Sequence, residues 1–331
     1  MKLKKKIINV LKFVFFLAAG LFLFWIVYKD QDFEQLSKAL KNIDYLWIIF
    51  GLILGIISHL IRAIRWQMLA HSLDYKPSFI NSFLSVMVGY LVNLGIPRMG
   101  EVSRAAVIKR YEKIPFSQSF GTIVLERIID LLILILLTAI VFIFRYDLFV
   151  DFLNNNPAVG EKFRNINFSN TFLILTGSFI VLGVFLMIVL RNQLRKTLVY
   201  QKTKDLLKKF IQGLKSVGSL KSLPLFLIYS FLIWLMYYLM LYICFDAFDF
   251  TSDLGLWAAL VVFVFGSYGM VAPVQGGIGA WHFMVIGTLF LFGIQDADAR
   301  VFALVVHGSQ TLMLLVVGLL SLLALPIINK R

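Results

Sequence analysis

The chain has 331 residues, 60% of them hydrophobic and 15% charged, with a mean hydropathy of +0.86, more apolar surface than one soluble core buries; a soluble globular protein is excluded. Its formal charge of +14 raises nucleic acid as a partner, but the basic residues lie between apolar runs without an aromatic-basic recognition motif, so no nucleic acid is expected and the charges are read as topology signals. The single cysteine, Cys244, sits inside an apolar run and excludes an internal disulfide; no metal, nucleotide or other cofactor fingerprint is present, and none is expected.

Taken in order, residues 1–12 carry five lysines, and the apolar run 7–28 that overlaps them reads as an uncleaved signal anchor. A second span is predicted over 45–61, closed by Arg62, Arg65 and Trp66 as interfacial anchors. The run 78–97 is long enough to cross a bilayer, yet it carries Asn81, Gly89, Asn93 and Gly95 and stops at Pro97, which lacks an amide hydrogen. A basic stretch over 98–113 follows, then a span at 120–144 and a polar loop at 145–170 containing Asn154-Asn-Asn-Pro157. A further span is predicted at 171–190. Segment 191–221 then holds nine Lys or Arg against Asp205, with apolar residues near helical spacing, the pattern of an amphipathic helix on a membrane surface. The last elements are a span at 223–245, an interrupted region at 254–292 broken by Pro273, Gly276, Gly277 and Gly279, and a span at 301–325.

Six full spans that alternate, with 78–97 and 254–292 each entering and leaving on one side, place 24 of the 32 Lys and Arg on one face. By the positive-inside rule that face is cytoplasmic and holds both termini. The expected fold is therefore all-α, a polytopic membrane helix bundle of six full spans plus two broken or re-entrant helical hairpins, about eight transmembrane helices in all. Residues 1–144 form a first half and 171–331 repeat it upside down, with 145–170 an external loop between them, in one transmembrane domain. An inverted repeat with a Gly/Pro-interrupted segment in each half points to a transporter site near the midplane. The simpler alternative is eight ordinary helices with two proline kinks.

The ionisable residues near these breaks are the candidate site. Glu126 and Asp130 are four apart and share a helix face, with Arg127 beside them; charges this deep are tolerated when paired or wetted. Arg98 and Arg104 flank Glu101 after the first break, and a guanidinium holds a phosphate by two parallel hydrogen bonds. Arg98, Glu101, Glu126, Arg127 and Asp130 are expected in one cavity. The competing reading is a structural Glu-Arg-Asp cluster with the other arginines as interfacial anchors. Gly276, Gly277 and Gly279 permit close backbone approach or exposed amides, or else tight helix packing. His59, His282 and His307 lie in apolar surroundings and read as proton relays or as hydrogen-bonded structural residues; Gln275 and Gln310 are read as lining the same cavity.

Asn93 to Glu101 with Pro97, Arg98 and Gly100, then Arg104, then Glu126-Arg127-x-x-Asp130, then Pro273-x-x-Gly276-Gly-Ile-Gly279, resemble the lysylphosphatidylglycerol synthase transmembrane family. These proteins are also called flippase-like integral membrane proteins. In the multiple peptide resistance factors of that family the region is joined to a cytosolic aminoacyl transferase domain, which does not follow within these 331 residues, and is thought to move the modified lipid across the bilayer. Relatives often carry Glu three residues after the last glycine of the second motif, where this chain has His282. The resemblance implies a multi-pass protein of the cell (inner) membrane that translocates an anionic, aminoacylated or polyprenyl-phosphate lipid, with no catalytic residues. The alternatives are an intramembrane transferase on a lipid-linked substrate, or a scaffold for a separately encoded lipid-modifying enzyme. A homo-oligomer is a further expected partner state.

Overall fold

The computed structural model describes residues 40–146 and 220–330, with single positions between 18 and 25 and between 211 and 218. The expected anchor at 7–28, the loop at 145–170, the span at 171–190 and the amphipathic segment at 191–221 lie wholly or largely outside the described residues. The described residues are all-helical, with eight α-helices and no strand among them: α1 (Tyr45–His71), α2 (Phe79–Gly95), α3 (Gly100–Glu112), α4 (Phe116–Phe144), α5 (Leu223–Ile243), α6 (Leu256–Val271), α7 (Ala280–Leu291) and α8 (Asp296–Ile328). Four of them are long and apolar enough to cross a membrane: α1, α4, α8, and α5 with the 3₁₀ turn Cys244–Ala247 that continues it. At about 1.5 Å per residue, α2 and α6, with 17 and 16 residues, reach only about 25 Å, short of a hydrocarbon core of about 30 Å.

The long helices overrun their predicted spans. α1 continues ten residues past Ile61 to His71, because the segment expected to close it at an interface buries Arg62, Ala63, Arg65, Trp66, Leu69 and Ala70. Likewise α4 starts at Phe116 and α8 at Asp296. Asp44 begins α1 as its N-cap, its carboxylate accepting the amide of Leu46 at 3.0 Å, and the Ser222 hydroxyl does the same for α5 from Leu225.

Between the long helices lie two helix–break–helix pairs. In the first, Asn81, Gly89 and Asn93 leave α2 unbroken; the chain turns only at 96–99 and returns as α3, through the stretch read from sequence as a basic loop. The turn places Arg98 at φ 61° and leaves the first amide of α3 without a helical partner, and the Asn93 side chain accepts that Gly100 amide at 2.6 Å. The two limbs cross so closely at Gly89 and Gly100 that a Cβ on Gly100 would collide with the Gly89 carbonyl and the Asn93 side chain. At the base, Asn81 donates to Glu112, so the start of α2 and the end of α3 stand side by side; the end of α8 joins them through a reciprocal amide pair between Asn81 and Asn329 at 2.8 and 2.9 Å.

The second pair is α6 and α7, parted by Ala272, Pro273 and a 3₁₀ turn at Gln275–Gly277. Gly276, Gly277 and Gly279 have φ of 56°, 79° and 79°, a backbone that side chains with a Cβ rarely adopt. Gly269 lets α6 pack directly on the backbone of Trp281 in α7.

Packing groups the helix ends into two sets. The start of α1 (Ile48), the residues after α5 (Phe245, Phe248), the start of α6 (Ala258), the end of α7 (Leu289) and the start of α8 (Phe302) share one apolar core. Smaller cores join the opposite ends: Trp66 and Ala70 with Ile108 and Ile123, Leu69 with Leu125 and Phe226, and Leu84 with Leu325. Between these ends the tips of the two pairs touch. Arg98 Nη2 donates to the Val271 carbonyl at 3.3 Å, and Leu94 lies against Gly276, where a Cβ would come within 2.9 Å of it.

A buried arginine–carboxylate cluster as the candidate functional site

Glu126 and Asp130, one turn apart on α4, face the bundle interior and are met by arginines from two other helices. Arg62 and Arg65, three apart on α1, present their guanidiniums to the same face. Arg62 Nη1 donates to Asp130 Oδ2 at 2.7 Å, and Arg65 donates from Nη1 to Asp130 Oδ1 at 2.9 Å and from Nε to Glu126 Oε1 at 3.2 Å. From α3, Arg104 Nη1 donates to Glu126 Oε2 at 2.7 Å. Every oxygen of both carboxylates is thereby engaged. The Arg65 and Glu126 side chains are 0% and 1% exposed, and only such pairing makes that burial tolerable: by insertion scales a lone charge at a bilayer centre costs about 3 kcal/mol.

A second layer shapes the cluster. Arg65 also donates to Ser230 of α5 at 3.2 Å, and Arg62 Nη2 reaches the Tyr237 hydroxyl at 3.5 Å. That hydroxyl pairs with the Tyr90 hydroxyl of α2 at 3.0 Å and lies 3.4 Å from His59 Nδ1. Guanidinium faces rest on rings, Arg104 over Trp66, Arg65 over Phe226 and Arg62 over Tyr237, all within 6 Å of the centroids. Trp66 is itself fixed by donating to Thr122 at 3.0 Å. At the edge, Arg127, 43% exposed, donates to Glu101 of α3 at 2.9 Å and stands 3.8 Å from Asp130. Helices α1, α3, α4 and α5 therefore converge on one ionic network, with α2 touching it through Tyr90.

The pairing is incomplete on both sides: at the edge, Glu101 Oε2 is buried and accepts no hydrogen bond from the described residues. Arg62 Nε, Arg65 Nη2, and Arg104 Nε and Nη2 are buried and make no hydrogen bond with the described residues. Among the described residues four arginines face three carboxylates, so the network they form carries one excess positive charge.

Of the residues expected to form one cavity, Glu101, Glu126, Arg127 and Asp130 are brought together, and Arg104 joins them. Arg98 is exposed and makes its hydrogen bond at the touching tips instead. Asn93, Pro97 and Gly100 form the first turn, where Asn93 is a backbone cap. Pro273, Gln275, Gly276, Gly277 and Gly279 form the second. There His307 Nε2 donates to the Gly276 carbonyl at 2.9 Å, its ring stacks on Trp281 with centroids 5.0 Å apart, and His282 lies edge-on to it at 4.7 Å while its Nδ1 accepts the Gly279 amide at 3.3 Å. Among the described residues no group of three or more His, Cys, Asp or Glu is arranged to hold a metal.

Arg62 and Arg65 were missed as site residues, as were Tyr90, Ser230 and Tyr237. The signal for the arginines was present: two carboxylates one turn apart on an apolar helix require cations at matching spacing, and Arg62 and Arg65 supply it. Arginine at the end of an apolar run ordinarily marks an interface, and that reading prevailed.

With this geometry in view, comparison with known proteins is decisive about ancestry. The model of the lysylphosphatidylglycerol synthase TM region matches residues 9–318. The chain belongs to that family. A UPF0104 membrane protein of Methanocaldococcus jannaschii is 30% identical over 141 residues, covering 42% of this chain and 40% of the relative, so the match spans about two fifths of that protein. A UPF0104 membrane protein of Methanothermobacter thermautotrophicus is 22% identical over 280 residues, 78% of each chain. No solved structure matches the chain. Family and apolar helices together make this a membrane protein.

Removing one member of a buried ion pair strands its partner, at a cost of about 3–5 kcal/mol. Glu126→Gln should therefore lower the thermal unfolding midpoint sharply in detergent, whereas Arg127→Gln, at the exposed edge, should cost about 1 kcal/mol or less. Equal midpoints for the two variants would contradict the described burial.

Proposed function

We propose that this protein carries a lipid with an anionic phosphate headgroup across the cell membrane, using the arginine–carboxylate cluster as the headgroup site. The observation that carries this reading is the set of four unpaired guanidinium nitrogens on three buried arginines, in a network with one excess positive charge. Guanidinium is the side chain best suited to hold phosphate oxygens, and a buried donor left unpaired costs about 1–3 kcal/mol, so a ligand that takes these donors gains what the closed cluster forgoes. A phospholipid and a polyprenyl-phosphate carrier both supply such oxygens. An aminoacylated phospholipid, the lipid that the family description brings to mind, is a third candidate. No catalytic role is assigned, because both oxygens of Glu126 and of Asp130 are engaged by guanidiniums and neither carboxylate offers a free base.

The architecture supports transport in a second way. We read each helix–break–helix pair as a re-entrant hairpin and the two halves as an inverted repeat, the first hairpin based on the cytoplasmic face with the ends of α1 and α8, the second on the outer face. In support, Asn81 and Glu112 adjoin at the base of the first pair while Ala258 and Leu289 share a core at the base of the second, and the tips meet between the two sets of helix ends. Inverted-repeat transporters expose one site to each side by moving one repeat against the other, and tips that meet from opposite faces lie where such a movement would open a path.

Purified protein reconstituted into vesicles should accelerate transbilayer movement of a fluorescent anionic phospholipid over vesicles holding heat-inactivated protein. Equal rates in the two would sink the transport reading. For the topology, cysteines at Ser78 and Lys113 should both label from the cytoplasmic side and cysteines at Leu256 and Gln295 both from outside; labelling of either pair from opposite faces would show an ordinary crossing.

A further inference from the structure

The inner cluster has a definite charge. Arg62, Arg65 and Arg104 contribute three positive charges, and Glu126 and Asp130 two negative ones. Arginine stays protonated in proteins, and carboxylates that accept from guanidinium are ionised, so the sum is one positive charge. The outer pair, Arg127 with Glu101, adds zero. The inner side chains are all less than 10% exposed, so water does little to screen the excess, and a ligand must balance it.

Resting on the headgroup reading above, we infer that the site selects a headgroup of net charge minus one, the phosphodiester monoanion, over the other classes. A phosphomonoester or a diphosphate-linked carrier brings two or more negative charges and leaves the filled cluster negative. A headgroup with an added amine brings none, or a positive charge, and leaves it positive. The donor inventory agrees with the charge. A phosphodiester has two non-bridging oxygens, each able to accept two hydrogen bonds, and the cluster has four unpaired nitrogens: Arg62 Nε, Arg65 Nη2, and Arg104 Nε and Nη2. This sets the chain apart from an aminoacyl-lipid carrier while keeping the same site.

The test is ligand-induced thermal stabilisation of the full-length protein in neutral detergent. The probes are dihexanoyl forms of phosphatidylglycerol, phosphatidic acid and phosphatidylcholine, with dimethyl phosphate as a diester lacking chains. Mildly alkaline buffer keeps the monoester of phosphatidic acid doubly charged. Phosphatidylglycerol should bind at least tenfold more tightly than the doubly charged and zwitterionic lipids. Asp130→Asn raises the inner charge to two and should turn the preference toward phosphatidic acid. Should that variant fail to fold, Glu101→Gln, at the half-buried edge of the cluster, should narrow the preference in the same direction. Equal affinities across the three lipids, or a preference that neither variant moves, overturns the inference. Dimethyl phosphate binding as tightly as phosphatidylglycerol assigns the site to a free anion and overturns the lipid as its source. Preserved charge selectivity in protein that moves no lipid counts against transport and leaves the charge rule standing.

Discussion

Hydrocarbon offers an ion no solvent, and the described structure is arranged around that fact. Two carboxylates on α4, a helix apolar enough to span, require cations from elsewhere in the bundle, and the cations come from α1 and α3. The requirement explains features that hydropathy alone does not. It carries α1 through two arginines without a break, since both guanidiniums pair with carboxylates of α4. It also places α3, whose sequence is polar enough for a loop, against the core through Gly100, Arg104, Ala105 and Ile108.

The cluster and the hairpin tips are mechanically connected. Arg104 and Glu101 sit on the return limb of the first hairpin, and that limb is locked to α2 by the glycine crossing at Gly89 and Gly100 and by the Asn93 cap. The tip of the same hairpin holds the second through the Arg98 contact with Val271 and the fit of Leu94 against Gly276. The tip and two charged members of the network thus lie on one short helix, α3 and the turn that begins it. The second tip is less dependent on side chains. Its three glycines set the turn, and His307 and His282 take up backbone groups that the broken helix leaves over. The position where relatives often carry Glu is thus occupied by a residue that caps α7, a structural duty His282 performs as a hydrogen-bond acceptor.

Much of this is legible in the sequence. The all-helical membrane fold followed from composition, the breaks from Pro97 and from Pro273 with its glycines, and the pairing of Glu101, Arg127 and Asp130 from the cost of isolation. Four things are not. The depth of Arg62 and Arg65 was hidden because one residue type marks both interfaces and buried ion pairs, and only the partner decides which. Helix α3 was hidden because a limb that buries a narrow face has an unremarkable average polarity. Arg98 was grouped with its sequence neighbours, but the turn at φ 61° aims it across to the other hairpin, and turn geometry is not encoded in charge. The tyrosines and Ser230 carried no signal, because single hydroxyls on apolar helices are common and their partners come from distant segments.

The central claim is that the unpaired guanidinium nitrogens at the cluster hold a lipid phosphate. An electron cryomicroscopy structure in nanodiscs containing anionic phospholipid tests it directly. The account predicts headgroup density with phosphate oxygens about 2.7–2.9 Å from nitrogens of Arg62, Arg65 and Arg104, with Glu126 and Asp130 still paired. A cluster closed to lipid, with those nitrogens bonded only to protein or water and headgroups bound elsewhere, would contradict it.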